Sequence, residues 1–133
     1  MTAQPSWSDD DRRFMAEAVR LARRGVGRVE PNPAVGAVLV RNGRIIGRGW
    51  HREFGADHAE VAAVADARRR NHRPAGAALY VTLEPCCHWG KTPPCVDTVL
   101  RERIARVVVA MIDPSAKVRG RGIRRLRRAG VRV

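Results

Sequence analysis

Two short segments constrain this chain more than anything else in it. One reads His58-Ala59-Glu60, and the other runs Pro85-Cys86-Cys87-His88-Trp89-Gly90-Lys91-Thr92-Pro93-Pro94-Cys95. Together they offer an imidazole, the thiols of Cys86 and Cys95, and a carboxylate that need not act as a ligand. That set suits a catalytic zinc, Zn2+, with three protein ligands, an open fourth position and an acid/base beside it. Any fold that uses it must bring both segments to one point. Alone, His-Ala-Glu is an ordinary surface helix turn, and two cysteines with eight residues between them are ordinarily buried thiols or half of a structural zinc site. The two in this order, one at a helix start and one at a strand end, favour the catalytic reading.

The pattern of apolar residues supplies those placements. Ser8 followed by Asp9, Asp10 and Asp11 is a helix start with an N-cap and acids in the first turn. Phe14, Ala18, Leu21 and Ala22 continue it at helical spacing, and Gly25 is a plausible stop. After a loop ending Pro31-Asn32-Pro33, the apolar run Ala34–Val40 reads as a buried strand. Asn42-Gly43 centres a hairpin turn into a second strand, Ile45–Trp50. A helix is expected from His58 to near Arg70, a third strand over Ala77–Leu83, and a loop to Pro94. Cys95 then opens a helix to near Arg103, followed by a strand over Val107–Met111, a basic helix over Arg119–Arg128 and a last strand over Val131–Val133. This order predicts an α/β fold: a mixed five-stranded sheet covered on both faces, a three-layer αβα sandwich.

Size and charge narrow the function. With 133 residues the chain reads as one domain, long enough to bury roughly two-thirds of its unfolded surface. No apolar run is long enough to span a membrane, and the polar, acidic N-terminus lacks the features of a signal peptide, so a cytoplasmic location is expected. An odd number of cysteines, three, speaks for metal or thiol chemistry rather than a disulfide framework. The net charge is +13, and every basic residue but Lys91 and Lys117 is arginine. Phosphate-bearing partners are compatible with that charge, as is a simple solvated surface. Six aromatic residues are too few for a nucleic-acid stacking platform, so nucleic acid is not an expected partner.

The remaining polar residues divide by context. Glu60, two residues after His58, is expected to face the site without ligating and to shuttle protons. Cys87 reads as a small buried residue. His88 reads equally as a site residue or a loop histidine. His51, after Trp50, is expected near the pocket, and His72, in an arginine-rich turn, is expected in solvent. None of Gly25-Val26-Gly27, Gly47-Arg48-Gly49 or Gly120-Arg121-Gly122 has the third glycine of a dinucleotide fingerprint.

Several of these segments occur together, in order, in a known family. They are Pro31-Asn32-Pro33-Ala34-Val35-Gly36, Gly49-Trp50-His51, His58-Ala59-Glu60-Val61, Tyr80-Val81-Thr82-Leu83-Glu84-Pro85-Cys86, Gly90-Lys91-Thr92-Pro93-Pro94-Cys95 and Gly120-Arg121-Gly122. From about Phe14 to Val133 the chain resembles the deaminase domain of the bacterial bifunctional riboflavin-biosynthesis deaminase/reductase. The eight-residue gap between Cys86 and Cys95 is specific to that likeness, since related base deaminases usually have two residues there.

The resemblance implies a cytidine deaminase-like fold and the substrate 2,5-diamino-6-ribosylamino-4(3H)-pyrimidinone 5′-phosphate, which loses its ring 2-amino group by hydrolysis. It implies zinc on His58, Cys86 and Cys95, Glu60 as catalytic proton shuttle, and substrate contacts from Asn32, His51, His88, Lys91 and Thr92. It also implies a homo-dimer or tetramer. The expected organisation is a single deaminase domain over residues 1–133 with no reductase domain, either a stand-alone deaminase or an excised domain, and whether a separate chain supplies a reductase partner stays open. One departure bears on substrate choice: the family typically reads Asp-Pro-Asn-Pro where this chain has Asp113-Pro114-Ser115-Ala116. A deaminase of the same fold acting on another free base, nucleoside or nucleotide is the alternative.

Overall fold

Residues 7–87, 93–115 and 118–133 are described by the computed structural model. The elements run α1 (Asp9–Ala22), a 3-10 turn (Arg23–Gly25), β1 (Gly36–Arg41), β2 (Arg44–Trp50), α2 (Ala59–Arg69), β3 (Ala78–Val81), α3 (Cys95–Arg101), β4 (Arg106–Val109) and α4 (Arg121–Arg128). The sheet order is β2-β1-β3-β4. β1 pairs antiparallel with both β2 and β3, and β4 lies parallel to β3, the two joined through α3.

Local chemistry sets the first elements. The Ser8 hydroxyl accepts the Asp11 N–H and the Asp11 carboxylate accepts the Ser8 N–H, a reciprocal cap for α1. Asn42 and Gly43 both take positive φ, as the expected two-residue hairpin requires.

Side-chain alternation along the strands divides the core into two layers. Val38 and Val40 of β1, Tyr80 of β3 and Val108 of β4 face α1, where they meet Phe14, Met15, Ala18 and Leu21. Ala37, Leu39, Leu79, Val81 and Val107 face the other way, against Ala63 and Val64 of α2, Val96 and Val99 of α3, and Leu126 of α4. Leu126 is fully buried and anchors a helix otherwise rich in arginine, and its truncation to Ala is worth about 2–5 kcal/mol.

The sheet has four strands among the described residues, not the five expected. Val131–Val133 makes a single parallel bridge, Arg132 to Arg106. The cause is local: the Val131 N–H turns back to the Leu126 carbonyl at the end of α4 and does not enter a ladder.

The contact that matters most for the site is between β2 and α2. A Cβ on Gly49 would lie 2.3 Å from the Ala63 nitrogen and 2.5 Å from the Ala59 carbonyl oxygen. Only glycine lets α2 lie this close on the sheet, and α2 begins with the residues that build the site.

Candidate metal centre and pocket

Three chain segments deliver the ligand set. His58 is the N-cap residue of α2, with extended backbone (φ −69°, ψ 162°), and its carbonyl accepts the first helical hydrogen bond from Ala62. Cys86 follows β3, and Cys95 is the first residue of α3. One ligand atom from each of His58, Cys86 and Cys95 lies within 4.8 Å of the others. His58 Nδ1 is 3.1 Å from Cys95 Sγ and 3.8 Å from Cys86 Sγ. The Cys95 backbone N–H donates to Cys86 Sγ at 3.2 Å, so the start of α3 stabilises charge on that sulphur.

The electrostatics follow from this crowding. The Cys86 thiol is brought down to about 4, chiefly by its hydrogen bond with Cys95, against the opposing effect of burial. Cys95 is pushed well up by the same hydrogen bond and by its burial. His58 is raised by its contact with the Cys86 sulphur. Burial raises Glu60, itself 4% exposed, to about 7. Three acidic groups and an imidazole therefore meet in one spot, Cys95 and Glu60 buried and His58 and Cys86 half-buried, where a full set of negative charges needs a positive one at its centre. A dication bound by two thiolates and an imidazole meets that need, so the donor set fits zinc.

His58 and Cys86 border a cavity of about 280 Å³. Asn32, His51, Phe54, Glu60, Glu84 and Asp113 are among its lining residues. His51 is 3% exposed, and its ring stands edge-on to His58 with centroids 5.3 Å apart. Its Nδ1 is 3.0 Å from the Asp57 carbonyl oxygen, which can only accept, so Nδ1 carries the proton. In the neutral ring Nε2 is then an acceptor, and the Asn32 amide donates to it at 3.3 Å.

Of the residues singled out from sequence, His58, Glu60, Cys86, Cys95, Asn32 and His51 all border this cavity or its metal group. His88, Lys91 and Thr92 lie outside the described residues. His72 is exposed, and Cys87 is half-buried against the larger core cluster. Phe54, Glu84 and Asp113 were not anticipated at the pocket. Glu84 carried a signal in hindsight: a carboxylate between an apolar strand and a ligand has to be buried or paired.

Residues 8–111 match the family described as the cytidine and deoxycytidylate deaminase zinc-binding region. The chain belongs to this deaminase family. The region is a zinc-binding one in this family, His58, Cys86 and Cys95 form a group able to hold a metal ion, and the enzyme class is a hydrolytic deaminase. Among curated relatives, the riboflavin biosynthesis protein RibD of Chlamydia muridarum is 51% identical over 120 residues, covering 90% of this chain and 32% of that protein. The diaminohydroxyphosphoribosylamino-pyrimidine deaminase of Buchnera aphidicola is 42% identical over 123 residues, covering 92% of this chain and 82% of that one. Among solved structures, the diaminohydroxyphosphoribosylaminopyrimidine deaminase/5-amino-6-(5-phosphoribosylamino)uracil reductase of Thermotoga maritima superposes with a TM-score of 0.88 at 48% identity. That match covers 93% of this chain and 35% of the solved one. The deaminase spans about a third of the length of the RibD relatives it matches. No helix among its described residues is long and apolar enough to cross a membrane.

Proposed function

We propose that this deaminase acts in riboflavin biosynthesis, on 2,5-diamino-6-ribosylamino-4(3H)-pyrimidinone 5′-phosphate, replacing the ring 2-amino group by oxygen with release of ammonia. The observation that carries the chemistry is Glu60: a fully buried carboxyl raised to about 7, bordering both the cavity and the ligand cluster. An acid near neutrality can take up and give back protons at working pH, which is what exchanging water for an amine requires. The substrate assignment is supported by the Buchnera and Thermotoga relatives named for this chemistry.

His58, Cys86 and Cys95 would hold the zinc. When bound, zinc supplies the acidity that makes a water molecule reactive near pH 7. Glu60 accepts a proton from the attacking water at its carboxylate, delivers it to the pyrimidine ring nitrogen, and then carries the water's second proton to the departing amine, which leaves as ammonia. Asn32 presents its remaining amide N–H and its amide oxygen to the ring, oriented by His51 Nε2, whose imidazole the Asp57 carbonyl holds in one tautomer. Lys91 and Thr92, with His88, are proposed for the ribose-phosphate end by family resemblance.

The same reading proposes residues 1–133 as a deaminase unit that works with a reductase activity, in the cytoplasm and as an oligomer. The reductase in the Thermotoga relative's name supports the first point, and the outer edge of β2, unpaired among the described residues, supports the last.

The test is ammonia release by the zinc-loaded protein on the ribotide, with cytidine, deoxycytidylate, guanine and adenosine as controls. Turnover confined to the ribotide is expected. Turnover of a control with none of the ribotide would keep the zinc chemistry and discard the pathway.

A further inference from the structure

Glu84 is 3% exposed and belongs to no ion pair among the described residues, yet both its carboxylate oxygens accept hydrogen bonds. Oε1 accepts the Gly120 N–H at 2.7 Å and the Asp113 N–H at 3.2 Å. Oε2 accepts the Ile123 N–H at 3.1 Å. Glu84's own N–H donates to the Met111 carbonyl at 2.9 Å. One residue thus fastens the end of β3, two positions before Cys86, to the segment that leaves β4 and to the start of α4.

The Gly120-Arg121-Gly122 motif, which no other feature of the site accounts for, completes this junction. Gly120 has φ +83° and precedes the helix. A Cβ on Gly122 would lie 2.2 Å from the Pro85 carbonyl oxygen and 3.3 Å from Glu84 Oε2. The two glycines allow α4 to start directly against Glu84 and Pro85.

What the junction holds is Asp113. Its N–H is fixed by Glu84, its Oδ1 accepts the Ser115 N–H at 2.8 Å, and it lines the cavity. A carboxylate on the wall accepts hydrogen bonds from amino and hydroxyl groups and repels phosphate. We propose that Glu84 is a positioning residue, which through the Asp113, Gly120 and Ile123 N–H groups holds Asp113 as the acceptor for the substrate's amino or ribose hydroxyl donors. The identity of those donors rests on the ribotide reading above.

The test combines three variants with two measurements on the zinc-loaded protein. Glu84→Gln loses one of its two acceptor atoms. Gly122→Ala pushes α4 off Pro85 without altering a pocket-lining side chain, and it covers the case in which Glu84→Gln fails to fold. Asp113→Asn removes the charge itself. Each is expected to raise KM for the ribotide about 10-fold with kcat within about 3-fold of wild type, the pattern of lost binding that is uniform along the reaction. The Glu84→Gln/Asp113→Asn double variant should show no further rise, since both act through one group. Amide hydrogen exchange over residues 111–123 should quicken in Glu84→Gln and Gly122→Ala but not in Asp113→Asn. Unchanged KM in Gly122→Ala, or additive effects in the double variant, overturns the proposal. If wild-type protein does not act on the ribotide, the substrate reading falls by itself. The exchange comparison then decides the latch: unchanged rates in Glu84→Gln overturn it.

Discussion

The His51 imidazole is tied at Nδ1, over 3.0 Å, to the carbonyl of Asp57, the residue immediately before the ligand His58. One histidine therefore borders the substrate cavity while braced against the chain that delivers a metal ligand. His51→Ala removes two hydrogen bonds and an aromatic edge from the pocket but none of the ligand atoms. It should lower kcat/KM by about 10–100-fold, or ~1.4–2.7 kcal/mol of transition-state stabilisation. Zinc content should stay at wild-type stoichiometry. Steady-state kinetics with metal analysis of the same preparation checks this, and parallel loss of zinc and activity would mean that the ring serves the ligand loop instead.

Glu60 carries a sharper expectation. Glu60→Gln keeps the size and polarity of the side chain and removes its proton chemistry. Turnover should drop by about 10²–10⁴-fold, the usual range for losing a general acid–base group. Zinc should be retained, because His58, Cys86 and Cys95 form the ligand group without Glu60. A Glu60→Gln protein that purifies without zinc would contradict the division of labour.

The contrast between Cys95 and Glu84 shows how far the sequence alone reaches. The ligand set was legible because metal chemistry demands particular residue types, and His58 and Cys95 both fall at helix starts that periodicity and local signals mark. Glu84 was not, because its partners Asp113, Gly120 and Ile123 lie 29 to 39 residues further along and are bound through backbone N–H groups. Backbone donors leave no residue-type signature. The strand expected at Val131–Val133 failed for a related reason. Its valines have strand character, but the end of α4 takes the Val131 N–H, and no local pattern reveals that competition.

Metal removal should affect fold as well as activity. The cluster joins the N-termini of α2 and α3 to the end of β3, so the metal's binding energy is available to the fold. Chelation should abolish turnover and lower Tm, with zinc restoring both. Cys86→Ala should have the chelated protein's Tm and gain nothing from added zinc. Apparent zinc affinity should also weaken as pH falls, since thiols bind metal as thiolates. Thermal melts with and without chelator, and zinc competition titrations at several pH values, test both points.

Acid stability should depend on a site far from the metal. Asp11 accepts hydrogen bonds from Tyr80 at 2.6 Å and, through its two oxygens, from Arg106 at 3.1 Å each. The Arg106 guanidinium holds the Asp11 carboxyl well below the usual carboxylate range, against the opposing effect of its burial. The folded state therefore binds this proton less tightly than the unfolded chain, whose Asp titrates near 3.9. The stabilisation is present above about pH 4 and is lost progressively as pH falls below it toward the folded-state value. Asp11→Asn should cost about 1–3 kcal/mol at pH 7. That lies below the ~3–5 expected for a fully buried pair because the Arg106 side chain is 38% exposed. The variant should also flatten the acid limb, so that its gap to wild type narrows steadily as pH falls from about 4 to 2. Denaturant unfolding from pH 7 to pH 2 measures the difference, and a constant gap across that range would remove the carboxylate from the explanation.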